Sequence, residues 1–132
     1  MNKKKLFKTL AYLIVFILII NFFANKFYWY YSIWYFDVIM HFLGGFWVGL
    51  AFIYLFPPKD SPLDAIFITL LLVLTVGVLW EVFEILINEI IAQNPFNVLD
   101  TASDIFFDLS GGLCAILYLL VPLENQRTGS KE

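Results

Sequence analysis

Charged residues are scarce in this sequence of 132 residues, in which Asp, Glu, Lys and Arg make up 14% and apolar residues 61%. A soluble domain carries about a quarter charged residues and under half apolar ones, so the composition excludes a water-soluble globule and a disordered chain alike. The formal net charge of −3 leaves no basic face, which excludes nucleic acid as a partner. The surface must therefore face membrane lipids.

Cysteine is almost absent as well. The single Cys114 lies inside an apolar stretch, so an internal disulfide is excluded and a small residue facing lipid or core is expected. The alternation of apolar and polar residues that marks the strands of a membrane β-barrel is also missing. The remaining way to span a membrane is the α-helix.

Four apolar stretches are long enough for this, because about 20 helical residues cover roughly 30 Å of hydrocarbon. The predicted transmembrane helices are residues 6–24, 38–56, 63–91 and 103–121. An aromatic interfacial segment, residues 27–36, separates the first two, and residues 122–132 form a tail. We therefore expect an all-α integral membrane protein of one domain, folded as a four-transmembrane-helix bundle.

The breaks between the later spans carry residues typical of helix ends. Ser61, Pro62 and Asp64 predict an N-cap, a proline at the first helical position and a capping-box acid for the third span. The chain is predicted to break again before the fourth span at Asn94, Pro95 and Asn97.

The basic residues indicate the orientation. Seven of the eight Lys and Arg residues fall on one side of the four-span arrangement and only Lys26 falls on the other, so both termini are predicted to be cytoplasmic. The first span also follows lysines as a signal peptide does. Because bulky Phe22 stands two residues before Ala24, an uncleaved anchor is expected, with cleavage as the alternative.

The aromatic segment, residues 27–36, is interpreted as an interfacial belt on the outer side of the membrane. The functional alternative is a lid or stacking surface for a sugar or lipid substrate.

Ionisable and small residues share one helical face in three of the spans. In the second span these are Asp37, His41, Gly44, Gly45 and Gly49. In the third they are Gly77, Glu81, Glu84 and Asn88. In the fourth they are Asp104, Asp108, Gly111, Gly112 and Ala115, with Asp100 just before. Small residues at i and i+4 let helices approach closely, so the polar faces are expected to meet.

The acids of the last two spans have no basic partner nearby, since residues 60–126 contain nine acids and no Lys or Arg. An uncompensated buried carboxylate costs several kcal/mol, so the cluster must protonate, stay hydrated or hold a cation. We expect a divalent metal ion, with magnesium, manganese or calcium favoured by the oxygen ligands and zinc or iron as alternatives. The candidate metal ligands are Asp37, His41, Glu81, Glu84, Asp104 and Asp108.

Each candidate also has an ordinary structural role to weigh. Thr101 and Asp104 have the spacing of a capping box, and Asp100 can cap the fourth span. His41 can be an interhelical hydrogen-bonding residue. Glu81 and Glu84 can be neutral acids bonded to neighbouring helices.

With these residues the sequence resembles the YjdF-like family of bacterial inner-membrane proteins and, more loosely, the VanZ-like family. The resemblance covers about residues 36–115 and rests on Asp37-x-x-x-His41-Phe42, Trp80-Glu81-x-x-Glu84 and Asp100-Thr101-x-x-Asp104-x-x-x-Asp108-x-x-Gly111. Val38, Glu84 and Asp108 stand where VanZ-like proteins commonly have Lys, Gln and Asn. The resemblance implies a helical, multi-pass protein of the bacterial inner membrane with these polar positions grouped, and at most a process of the cell envelope.

Three functions remain open from the sequence. The first is a cation site near the outer face, used for metal-assisted hydrolysis or transfer on a lipid-linked phosphate or peptidoglycan precursor. The second is a proton or cation relay in a small transporter, which predicts a homo-oligomer. The third is an envelope scaffold without catalytic activity.

Overall fold

The computed structural model describes residues 2–57, 61–93 and 95–128, and all its regular structure is helical. Helix α1 is Lys3–Lys26, α2 is Trp29–Ser32, α3 is Phe36–Leu55, α4 is Pro62–Ile87 and α5 is Val98–Thr128. A π-helical segment, Asn88–Ala92, extends α4. Helices α1, α3 and α5 and the combined α4 are long and apolar enough to cross a membrane. The predicted all-α fold with four candidate spans is confirmed, whereas the orientation of the termini stays a prediction.

Two helix starts test the predicted caps. The Ser61 side chain accepts a hydrogen bond from the Asp64 backbone N–H at 3.4 Å and Pro62 opens α4, as predicted. The alternative role of Thr101 and Asp104 as a capping box is not the one that the structure shows. Helix α5 begins at Val98, and Asn97 accepts from the backbone N–H of Leu99 at 3.1 Å. Asp104 therefore lies inside the helix, free of any capping role.

Helices α3 and α5 form the closest pair of the bundle. A Cβ on Gly45 would collide with the backbone of Asp108, and a Cβ on Gly111 would collide with the backbone of Phe42. Gly49 likewise faces Ala115, whose Cβ would lie 3.0 Å from a Cβ built on Gly49. The expected close approach of the small residues is confirmed, and it brings the polar faces of α3 and α5 together.

Helix α1 packs on α3 around Trp47 and Leu50. Leu6 and Leu10 of α1 are buried with Leu50 of α3. The Trp47 indole N–H donates to the Leu10 carbonyl oxygen at 3.0 Å. Much of the remaining apolar surface of α1 is exposed, as expected of a helix in contact with lipid.

The aromatic segment is divided between surface and interior. Tyr31 and Trp34 are 82% and 89% exposed, whereas Phe36 is buried. The Tyr30 hydroxyl donates to Asn21 Oδ1 of α1 at 2.7 Å. The outward residues have the exposure that an interfacial belt needs, and that assignment stays a prediction.

The ends of the last two spans differ in detail from the predicted ones. The stretch predicted as one helix, residues 63–91, is α-helical only to Ile87 before the π-helical segment. Helix α5 continues to Thr128, so residues 122–128 of the predicted tail are helical.

Candidate metal centre

One buried imidazole lies where three helices meet. His41 of α3 is surrounded by Glu81 of α4 and by Asp104 and Asp108 of α5, and all four side chains are at least nine-tenths buried. Asp37 lies one turn before His41 and is 30% exposed. These five predicted residues are therefore brought together by the crossing of α3, α4 and α5.

The two ring nitrogens of His41 face different carboxylates. Nδ1 lies 3.3 Å from Asp108 Oδ1, at hydrogen-bonding distance. Because a carboxylate only accepts, Nδ1 carries the proton in this contact, and in the neutral imidazole Nε2 keeps its lone pair. Asp108 is thus the carboxylate placed to orient the ring from its Nδ1 side.

Nε2 faces the other three carboxylates at similar distances: 3.8 Å to Asp37 Oδ1, 3.7 Å to Glu81 Oε1 and 3.9 Å to Asp104 Oδ2. These separations exceed the 2.7–3.2 Å typical of an N–H···O hydrogen bond. His41 with Asp37 and Asp104 forms one set of ligand atoms close enough together to share a cation, and His41 with Glu81 and Glu84 forms a second set.

Three carboxylate oxygens of this cluster are buried without a hydrogen-bond partner: Glu81 Oε1, Asp104 Oδ1 and Asp108 Oδ2. An unpartnered polar atom in the interior costs about 1–3 kcal/mol, and more when it is charged. Within the described part of the chain, the ion pairs of these acids all involve His41 and none involves Lys or Arg. A single imidazole cannot compensate four carboxylates, so the donor set fits a bound divalent cation.

Glu84 lies at the edge of the cluster. Ligand atoms of His41, Glu81 and Glu84 can lie within 4.8 Å of one another, as can those of Asp37, His41 and Asp104. Glu84 is half-buried. It connects the enclosed part of the cluster to a more open region.

That region is a cleft of about 260 Å³ between the end of α4 and the start of α5. Glu81 and Glu84 form its inner wall, and most other lining side chains are polar. The lining is completed by Ile85, Asn88, Glu89, Pro95, Phe96, Asn97, Asp100 and Thr101. Asp100 therefore belongs to the cleft, one turn away from the cluster around His41.

Two further residues contribute to the site, of which the sequence analysis had placed Gly77 on the shared face and had not singled out Tyr30. Gly77 of α4 lies directly against Asp108, since a Cβ there would be 2.6 Å from Asp108 Oδ2. Tyr30 lies outside the spans, and its burial together with the charges of Asp37 and Glu84 raises its pKa to about 12. Gly77 stood in the polar stripe of its span, but nothing in the aromatic segment distinguished Tyr30 from its neighbours.

The chain belongs to a family of helical membrane proteins: residues 1–125 match the family model described as predicted membrane protein, DUF2238. No curated protein and no solved structure gives a significant match. The family assignment establishes a membrane protein and supplies no chemistry, so the function has to be argued from the site.

Proposed function

We propose that this protein binds one divalent cation within the membrane through His41 Nε2 and the carboxylates of Asp37, Glu81 and Asp104. Asp108 holds the imidazole from its other nitrogen. The observation that carries this proposal is the set of buried carboxylate oxygens without partners around a single histidine. Such oxygens are stabilised when they share a cation.

The choice of metal follows from the donors. Three carboxylates and one imidazole combine hard oxygen ligands with a nitrogen that suits transition metals. Because oxygen donors outnumber the single nitrogen, the set favours a hard, oxygen-preferring ion such as Mg²⁺, Mn²⁺ or Ca²⁺, with zinc or iron as alternatives.

We further propose that the cation supports hydrolysis or group transfer on a lipid-linked substrate of the cell envelope. A bound divalent ion lowers the pKa of water and neutralises phosphate charge. Glu84 is half-buried between the cluster and the cleft, which suits it to accept a proton. Because the lining contains no Lys or Arg, a phosphate would contact this protein through the cation.

The relay alternative receives less support from the packing. Beyond the cluster, towards the centre of the bundle, the only buried polar residue among those described is Thr69, whose hydroxyl donates to the Ala65 carbonyl at 2.6 Å. Gly49 and Ala115 close the α3–α5 contact on that side. Polar residues in the described part of the chain thus reach the cluster from one membrane face only, which suits a binding or catalytic site better than a proton or cation path across the membrane.

The orientation belongs to the same proposal. The lysines at the start of α1 and the basic residues near the end of the chain support a cytoplasmic location of both termini in a bacterial inner-membrane protein, in keeping with the YjdF-like and VanZ-like resemblance. The cluster then lies near the outer face. Fusing a reporter that is active only outside the cytoplasm to the C-terminus should give no signal, and a strong signal there would contradict this orientation.

Metal binding is tested on purified protein stripped with a chelator and titrated with Mn²⁺, with bound ion followed by electron paramagnetic resonance. We expect one ion per chain in the wild type and loss of that ion in Glu81→Gln and Asp104→Asn. Asp64→Asn, a matched change at the opposite end of α4, should bind as the wild type does. Absence of a stoichiometric ion, or full occupancy in both site variants, would remove the proposal.

A separate arm tests the chemistry. Mn²⁺-dependent release of phosphate from a lipid pyrophosphate in micelles is expected in the wild type. Glu84→Gln should retain the ion and lose most of the turnover. Wild-type protein with bound Mn²⁺ but without release from such lipids would limit the function to cation binding.

A further inference from the structure

The cleft beside the cluster opens at the membrane face where α4 ends and α5 begins. Its outer lining comes from the π-helical segment and from the residues that precede α5. Glu89 and Asp100 are exposed there, whereas Glu81 at the inner end is buried. Acidic side chains thus continue from the surface to the buried cluster.

The charge of this lining is of one sign. Glu81, Glu84, Glu89 and Asp100 contribute carboxylates, and among the lining residues that the structure describes none is Lys or Arg. Asn88, Asn97 and Thr101 add neutral polar groups that can contact water bound to an ion. Such a lining attracts cations.

Size and continuity also match a hydrated ion. An ion with six waters occupies on the order of 200 Å³, at about 30 Å³ for each water. The cleft offers about 260 Å³. At its inner end, Glu81 belongs both to the cleft and to the cluster, and its Oε1 is buried without a hydrogen-bond partner 3.7 Å from His41 Nε2.

On the side of His41 away from the cleft, the packing of the described helices leaves no path for an ion. Gly45 and Gly111 place the backbones of α3 and α5 in direct contact, and Gly77 places α4 against Asp108. A cation coming from that side would have to cross the packed interior of the bundle, whereas the cleft leads to Glu81 along a lining in which most side chains are polar.

We propose that the cleft is the access route along which a hydrated divalent cation reaches the His41 cluster, with Glu89 and Asp100 attracting the ion at its mouth. This inference rests on the proposed cation site and adds the path and its charge selectivity. Removal of the mouth carboxylates slows association, because electrostatic attraction of a double charge raises the encounter rate.

The first experiment measures the association rate of Mn²⁺ by stopped-flow competition with a fluorescent Mn²⁺ indicator. At low ionic strength, the double variant Glu89→Gln with Asp100→Asn should bind about 5-fold more slowly than the wild type. Asp64→Asn, which removes an acid at the far end of α4, should leave the rate unchanged. The difference should shrink in high salt, since screening weakens exposed charges.

The second experiment blocks the cleft. In a Cys114→Ser background, Phe96→Cys places a thiol in the lining and Ile90→Cys places one on the exposed side of the π-helical segment, outside the lining. After labelling with a bulky thiol reagent, the Phe96→Cys protein should bind Mn²⁺ at least 10-fold more slowly than the labelled Ile90→Cys protein. Both proteins should bind at the wild-type rate before labelling.

The outcomes separate the two proposals. No stoichiometric Mn²⁺ in the wild type overturns the proposed function itself. One Mn²⁺ per chain, with equal rates for the two labelled proteins, leaves the cation site in place and overturns the access route. Equal slowing by the mouth variant and by Asp64→Asn overturns the role of Glu89 and Asp100.

Discussion

His41 and Asp108 are joined across the α3–α5 contact by a 3.3 Å approach of Nδ1 to Oδ1. The pair exists because Gly45 allows the backbone of Asp108 to lie directly on α3. With Nδ1 occupied, Nε2 is the nitrogen that faces Asp37, Glu81 and Asp104. One contact therefore fixes which side of the imidazole is available for a ligand.

Asp108→Asn should weaken Mn²⁺ binding by about 10- to 100-fold without abolishing it, because partners that orient a metal-binding histidine have effects of this size. Titration of the purified variant beside Glu81→Gln measures the difference, and the Glu81 variant should lose more affinity. Equal, complete loss of binding in both would instead make Asp108 a direct ligand.

Gly45→Ala should destabilise the fold, because the added methyl group meets the backbone of Asp108 and forces α3 and α5 apart. Overpacking of this kind costs about 1–3 kcal/mol. Gly44→Ala is the matched control, since a Cβ at Gly44 has no neighbour within 4 Å. In detergent, thermal unfolding of the Gly44 variant should match or exceed the wild type, and an equal loss in both variants would contradict the packing described above.

Trp47→Phe should loosen α1 from α3, since it removes the hydrogen bond that the indole N–H donates to the Leu10 carbonyl at 3.0 Å. The expected loss is about 1 kcal/mol, the usual net value of one such bond. Trp34→Phe changes an 89% exposed indole and should have little effect. Faster hydrogen exchange in α1 of the Trp47 variant alone would support this docking role, and unchanged exchange would count against it.

Tyr30 should ionise only near pH 12, because burial and then the charges of Asp37 and Glu84 oppose its negative form. Because the pKa of Tyr30 is higher in the folded than in the unfolded protein, its contribution to the stability of the fold is fully present below about pH 10. That contribution is lost as the pH rises towards 12. The difference in absorbance at 295 nm between wild type and Tyr30→Phe isolates this one group. A difference curve with its midpoint near pH 10 would show that Tyr30 is not buried beside those acids.

The grouping of the candidate residues was predictable because helical spacing places residues four apart on one face. His41 follows Asp37 by four positions and Asp108 follows Asp104 by four, so each pair shares a face of its own helix. The small residues on the same faces predicted which helices would touch, and the contact of Gly45 with α5 confirms it. What spacing could not give is the rotation of each helix about its axis.

The cap of α5 shows where local patterns mislead. Thr101 and Asp104 have the spacing of a capping box, yet Asn97 takes that role three residues before Asp100. Asn97 and Thr101, about one turn apart, are both possible N-caps of α5. Which of them caps the helix depends on where packing against α3 and α4 lets the helix begin, with Asp104 beside His41. Local sequence contains both options and no information about that packing.

The sequence by itself determined that the protein lies in a membrane, because its apolar composition requires lipid surroundings. It also determined that the nine acids between residues 60 and 126, which have no Lys or Arg among them, must be protonated, hydrated or bound to a cation. Only the tertiary structure decided how the acids divide around His41, with Asp108 at Nδ1 and three carboxylates at Nε2. The physical reason is that composition and periodicity act along one chain segment at a time, whereas the two sides of an imidazole are assigned by the distances between separate helices.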